Sequence, residues 1–130
     1  MANGRARRLI STDSPFEEKA GYSRAVVSGA FCFVSGTTGY DYGTMRMPEA
    51  AEDQARNALA TIERTLQEAG FAMSDVVRAR YTVTDAALVD GIFAVLGETF
   101  GEIRPAATMV IAGLIRPEMK VEIEVTAHRP

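Results

Sequence analysis

Few groups in this 130-residue chain are equipped for chemistry, which narrows what it can do. It has one histidine, His128, close to the end of the sequence, and one cysteine, Cys32. A histidine without a nucleophile near it builds no catalytic triad. Ser35 has no histidine or lysine in its local sequence to activate it, so it reads as a hydrogen-bonding residue rather than a nucleophile. Cys32 lies among Phe31, Phe33 and Val34, the surroundings of a buried, inert thiol. No cluster of His, Cys, Asp and Glu has the spacing of metal ligands, so neither metal nor cofactor is expected. Gly36-Thr37-Thr38-Gly39 lacks the lysine of a phosphate-binding loop and the spacing of a dinucleotide fingerprint. Turn chemistry explains its glycines. What remains is charge placed on strands. Glu122 and Glu124 alternate with Val121, Ile123 and Val125, while Arg78 and Arg80 alternate with Val77, Ala79 and Tyr81. Carboxylates and guanidiniums on neighbouring strands can pair across an interface.

The elements that position these groups follow from periodicity. Ser23–Ser28 and Phe31–Ser35 flank Gly29-Ala30 as a two-residue hairpin. Residues 48–69 carry Ala51, Ala55, Ala58, Leu59, Ile62, Leu66 and Ala69 at helical spacing, with Pro48 suited to the first turn and Gly70 to the stop. Val76–Thr84 alternates as a half-buried strand. A second helix is expected from about Ala86 to Phe100, capped by Thr84 or Asp85, with Leu88, Ile92, Phe93, Leu96 and Phe100 as its apolar stripe. Ala106–Ala112 and Lys120–His128 read as two further strands. The order β-β-α-β-α-β-β, with two helices of similar stripe, predicts a two-layer α+β domain over residues 21–130, behind an irregular segment over residues 1–20. Val121, Ile123, Val125 and Ala127 then face the helices. The opposite sheet face, polar but balanced in charge, is either solvated or packed on another subunit.

Length and composition agree with one domain and one core: hydrophobic residues are 47%, charged residues 24% and net charge is −3. That charge argues against nucleic acid as a partner. The one basic run, Arg5-Ala6-Arg7-Arg8, reads as a solvated terminus. No apolar run approaches the roughly 18 residues that a membrane span needs. No apolar signal region follows the basic start, and one cysteine suits a reducing compartment, so a cytoplasmic protein is expected.

Four short motifs in order carry a family resemblance. Gly21-Tyr22-Ser23-Arg24-Ala25 resembles the G-x-Y-S-x-A opening of the RidA/YjgF family. Phe33-Val34-Ser35-Gly36 resembles its V-S-G strand end. Arg104-Pro105-Ala106 followed by Val121-Glu122-Ile123-Glu124 resembles its R-P-A-R … I-E-I-E ending. The resemblance covers about residues 20–128 of the chain. It implies a chorismate-mutase-like fold and a homotrimer with ligand clefts between subunits. It also implies hydrolysis of reactive enamine/imine intermediates, such as 2-aminoacrylate, to a 2-keto acid and ammonia, without a metal.

Carried over residue by residue, the family's water-handling glutamate falls on Glu122, its cleft tyrosine on Tyr22, and its cleft wall on Ser35 and Gly36. The arginine that clamps the substrate carboxylate falls on Ala107, and the cysteine two residues later on Met109. Alanine offers neither charge nor hydrogen bond, so an α-imino acid would enter with its carboxylate unpaired. Arg24, Arg80 and Arg104 are the candidates to replace that clamp. Glu122 reads either as a water-orienting carboxylate or as an interface carboxylate paired with Arg78 or Arg80. Three functions fit. One is an imine/enamine hydrolase whose substrate lacks, or places differently, the carboxylate. Another is a ligand-binding or regulatory trimer without turnover. The weakest is an endoribonuclease, since no histidine pair or lysine cluster is present.

Overall fold

A computed structural model describes residues 7–130. In chain order the elements are β1 (Arg7–Ile10), α1 (Pro15–Ala20), β2 (Ala25–Ser28), β3 (Phe31–Thr37), α2 (Ala51–Glu68), β4 (Val76–Val83), α3 (Val89–Phe100), β5 (Ala106–Ile111) and β6 (Val121–His128). The strands form one six-stranded sheet in the order β1-β2-β3-β6-β4-β5. Only β4 and β5 run parallel, which makes the sheet mixed. This is the expected two-layer α+β arrangement, with α2 and α3 on one face.

The β2–β3 hairpin closes as its sequence predicts. Ser28 pairs with Phe31, and Gly29 supplies the left-handed φ of +59° that the two-residue turn demands. Along α2, Ala51, Ala55, Ala58, Leu59, Ile62 and Leu66 are buried, the stripe that its spacing requires. Opposite them stand the inward residues of β6, Val121, Ile123, Val125 and Ala127, all buried.

Four expectations are corrected. Residues 1–20 are not wholly irregular: β1 joins the sheet edge beside β2, and α1 forms a capped turn and a half. Ser14 accepts from the Phe16 amide, Pro15 begins the helix and Glu17 follows three residues after the cap. The basic run is not simply solvated. Arg8 lies in β1 and donates to the carbonyl of Ala69 at 2.6 Å, while Arg5 and Ala6 lie outside the described residues. Strict alternation in β4 fails at its start. A bulge between Val76 and Arg78 puts Val76 in the core and leaves Val77 48% exposed. In α3 the buried stripe is Ile92, Val95, Leu96 and Phe100, and Phe93 points outward at 55% exposure. The helix begins three residues late because Asp85 caps a 3-10 turn over Ala86–Leu88.

Between β3 and α2 the chain is drawn in by two polar clamps. Gln54 is fully buried and donates to the carbonyls of Pro48 and Glu118, while its own oxygen accepts from the Lys120 amide at 2.9 Å. Asn57 donates to the carbonyl of Gly39 at 3.1 Å. The glycine is required for this approach: a Cβ at Gly39 would lie 2.5 Å from the Cα of Gln54, and backbone cannot yield as a side-chain tip can. The Gly36–Gly39 stretch is therefore a packing device. Gly39→Ala is expected to destabilise the fold by about 1–3 kcal/mol, the usual cost of overpacking, seen as a lowered midpoint in chemical denaturation.

Candidate functional site

The strand β6 runs through the middle of the sheet, between β3 and β4, and its alternate residues look out on the face without helices. There the sheet forms cross-strand rows. Thr126 lies between Phe33 and Arg78, Glu124 beside Arg80, and Glu122 beside Thr82. Near Glu122 the pairing of β3 with β6 is interrupted between Val34 and Thr37, so Ser35 and Gly36 bulge out of register. The Glu122 carboxyl rests against Gly36. A Cβ at Gly36 would lie 2.6 Å from its Cδ and 2.8 and 2.9 Å from its oxygens. Burial pushes the Glu122 carboxyl above the ordinary 4.5, the neighbouring Glu124 adds to the rise, and Arg24 opposes it.

The expected pairing of Glu122 with Arg78 or Arg80 is absent. Arg80 faces Glu124 instead, at 3.9 Å, and both side chains are about half exposed. Such a surface pair contributes roughly 0–1 kcal/mol. Arg78 donates to Thr108 at 3.0 Å. Among the described residues, no hydrogen bond or ion pair engages the Glu122 carboxylate.

Beneath Gly36 lies Arg24, and its position corrects its reading as a free clamp. The side chain is fully buried. Nη1 donates to the Gly36 carbonyl at 2.7 Å and to Thr37 Oγ1 at 3.0 Å. Nη2 lies 3.4 Å from the Tyr22 hydroxyl. The guanidinium is 4.9 Å from the Tyr42 ring centre and 5.6 Å from that of Tyr22. Its counter-ion is Glu17, whose Oε2 is 3.7 Å from Nε. That Nε makes no hydrogen bond. Held inside its own chain, Arg24 cannot grip a ligand. It ties α1, β3 and the Tyr22 segment together under the floor of the Glu122 site.

Glu17 was not singled out from the sequence. For Glu17 a signal existed: Ser14-Pro15-Phe16-Glu17 is a capping-box pattern. Its carboxylate is held from three sides, by the Ser11 hydroxyl at 2.9 Å and by the Thr12 amide and hydroxyl. Burial pushes its pKa up, but those hydrogen bonds and Arg24 together outweigh burial and hold the group below 4.5. Tyr40 does not border the cleft mouth either. It is buried, its hydroxyl donates to Glu118, and burial with that hydrogen bond pushes its pKa up to about 12. Ser35 Oγ donates to the Ser23 carbonyl at 2.6 Å, a wall residue rather than a nucleophile. His128 ends β6 in register with Phe31, with their rings 4.8 Å apart, so it is not a frayed residue. Cys32 is fully buried, and burial raises its thiol pKa.

The other half of the expected site lies elsewhere. Ala107 pairs with Ala79 and Met109 with Tyr81, so both share the helix-side face of the sheet with those buried residues. Glu122 and Thr82 look out on the opposite face. Arg104, exposed and with φ +54°, shares a cavity of about 450 Å³ with Ala107, Tyr81, Phe93 and Phe100. One chain therefore gathers Tyr22, Ser35, Gly36 and Glu122 around Arg24, and separately gathers Arg104, Ala107 and Met109 at the β5 edge.

The sequence profile described as Endoribonuclease L-PSP matches residues 12–129. The chain belongs to the YjgF/RidA family. A family member of Mycobacterium tuberculosis superposes with a TM-score of 0.88 at 40% identity, covering 95% of this chain and 100% of that one. A YjgF-family structure from Neisseria meningitidis gives a TM-score of 0.83 at 29% identity over 98% of each chain. An uncharacterized protein of Streptomyces coelicolor is 30% identical over 95% of this chain and 93% of its own length. A RutC family protein of Pyrococcus horikoshii is 27% identical over 95% and 98%.

The two carboxylates under strain here titrate with opposite signs. Glu17 has a lowered pKa, so its stabilisation is present above pH 4.5 and is lost as pH falls through its folded value. Glu122 has a raised pKa, so it lowers stability as pH rises past 4.5. Denaturant midpoints between pH 3 and pH 8 should show both. Glu17→Gln is expected to destabilise the protein at neutral pH, and this loss should shrink in acid. Glu122→Gln is expected to stabilise it at neutral pH, and this gain should vanish in acid.

Proposed function

We propose that this YjgF/RidA protein binds a small metabolite in clefts between the subunits of a homotrimer, where Glu122 directs water at an imine or enamine carbon. The observation that carries this reading is the Glu122 carboxylate, half-buried against Gly36 with no partner among the described residues. A structural carboxylate at that burial is ordinarily paired, because desolvation without compensation is costly. One that is unpaired and has a raised pKa marks a functional candidate.

The trimer is supported by two features of the chain. The face without helices exposes Leu9, Phe31, Phe33 and Val77, an apolar group that one copy leaves uncovered. The expected site residues also fall on opposite faces, so Glu122 and the β5 edge meet only if a second copy brings its own edge across. A cleft built this way takes Tyr22, Ser35, Gly36 and Glu122 from one subunit and Arg104, Ala107 and Met109 from the next. The lone buried Cys32 suits a cytoplasmic setting.

The chemistry is a hydration and an elimination. Glu122 accepts a proton from water as the oxygen bonds to the C=N carbon, giving a carbinolamine. That proton passes to nitrogen and completes the carbinolamine; the hydroxyl proton then moves through Glu122 to nitrogen as C=O forms and the C–N bond breaks with its electron pair on nitrogen, releasing ammonia. The sum is imine plus water to carbonyl compound plus ammonia. Ala107 provides no carboxylate clamp, so 2-imino acids should be poor substrates. The non-catalytic alternative keeps the same cleft without turnover.

An amino-acid oxidase that generates 2-imino acids in place tests this reading, with loss of imine followed against its spontaneous hydrolysis. Wild type is expected to accelerate the loss weakly, Glu122→Ala not at all, and Ala107→Arg roughly tenfold or more over wild type, since a bidentate charged contact exceeds 1.4 kcal/mol. Inert wild type and inert Ala107→Arg would sink the hydrolytic reading. A monomer at the 14.0 kDa chain mass in light scattering would sink the inter-subunit cleft.

A further inference from the structure

The charges of the β4 and β6 rows can be followed one by one, and each arginine there has a partner among the described residues. Arg80 faces Glu124 across β4 and β6. Arg78 is turned toward Thr108 of β5, away from β6. Arg24, the cation beneath the site, is enclosed by Tyr22 and Tyr42 and bonded to Gly36 and Thr37. The row of Glu122 itself continues through Thr82 to Val110, neither of them charged. The site therefore presents one carboxylate, set against a glycine, with a second carboxylate two residues along the strand; Arg24 acts on it only through space and makes no ion pair with it. Tyr22, 37% exposed, reaches the same Arg24 guanidinium with its hydroxyl.

We propose that the Glu122 site takes a cation: a protonated amine or iminium that carries no carboxylate. This deepens the reading of the cleft given above and rests on it. A half-buried carboxylate without a partner is repaired by an N–H⁺ donor at about 2.7–2.9 Å. An anionic ligand meets like charge at the same point, where partial burial strengthens the repulsion. The choice also suits the reaction. A protonated iminium is the more electrophilic form of the C=N bond, and its N–H donates to the same carboxylate that draws the proton from water. The balance is iminium plus water to carbonyl compound plus ammonium ion. Glu122 then recognises charge, and the missing clamp at Ala107 marks the ligand class rather than a lost activity.

Three five-membered rings of nearly equal size separate the possibilities: pyrrolidine as cation, proline as zwitterion and cyclopentanecarboxylate as anion. Each is titrated calorimetrically into wild type and into Glu122→Gln, whose fold is checked by circular dichroism. Pyrrolidine is expected to bind wild type at least tenfold more tightly than proline does, and to lose about tenfold in Glu122→Gln. Cyclopentanecarboxylate is expected to show no binding to wild type. If proline or cyclopentanecarboxylate binds as well as pyrrolidine, the cationic class is overturned while the cleft stands. The class is equally overturned if pyrrolidine binding survives Glu122→Gln unchanged. If no ring binds and no imine is hydrolysed, the proposed cleft falls and the cationic class with it.

Discussion

The buried Arg24 guanidinium is the constraint around which this end of the molecule is organised. A charge without water must find acceptors on every side, or the fold loses several kcal/mol. Here the acceptors come from separate parts of the chain: the Gly36 carbonyl and Thr37 hydroxyl of β3, the Glu17 carboxylate of α1, and the rings of Tyr22 and Tyr42. Glu17 is held in turn by Ser11 and Thr12, which fixes the turn between β1 and α1. Five segments are thereby registered against one planar cation. Lysine could not do the same, since its single ammonium lacks the fork that reaches several acceptors at once.

That registration sets the candidate site. Gly36 is fixed from below by Arg24 and touched from above by Glu122, so the two ionised groups are coupled through one residue with no side chain. The bulge that frees Ser35 and Gly36 from the β3–β6 ladder makes room for the carboxylate. On the helix side the sheet is closed by α2 and α3. On the other side it shows Phe31, Phe33 and Leu9 next to the charged rows of β6 and β4. An apolar band beside an unpaired acid is unfavourable for an isolated chain and suits one that meets copies of itself. The same geometry explains why the half-sites are separated. A strand alternates faces, so Ala107 and Glu122 cannot share a face in this register.

Much of the fold was legible from local pattern. The hairpin at Gly29-Ala30, the apolar stripe of α2 and the alternation of β6 are properties of period, and period survives any tertiary context. The failures have equally local causes. Val77 broke the β4 alternation because a bulge resets the phase of a strand, and no residue type announces it. Phe93 left the α3 stripe because the helix begins at Val89 after a 3-10 turn, which shifts the face that meets the sheet. The segment over residues 7–20 was misjudged although Ser14-Pro15-Phe16-Glu17 carried a helix start, because the helix it opens is too short to show a period.

By itself the sequence determined the two-layer α+β class, the alternation of faces along β6 and along β4 beyond its bulge, the family, and the alanine at position 107. Each of these depends on residue identity and short-range spacing. The tertiary structure decided what each charge does. Arg24 and Arg80 were equivalent candidates in the sequence, yet one is enclosed among two tyrosines and a glutamate and the other faces Glu124. Glu122 and Glu124 were adjacent and alike, yet only Glu122 lies on Gly36 and goes without a partner. Charge pairing is a matter of a few ångströms between strands distant in sequence. Those distances exist only once the sheet is assembled and its registers are set.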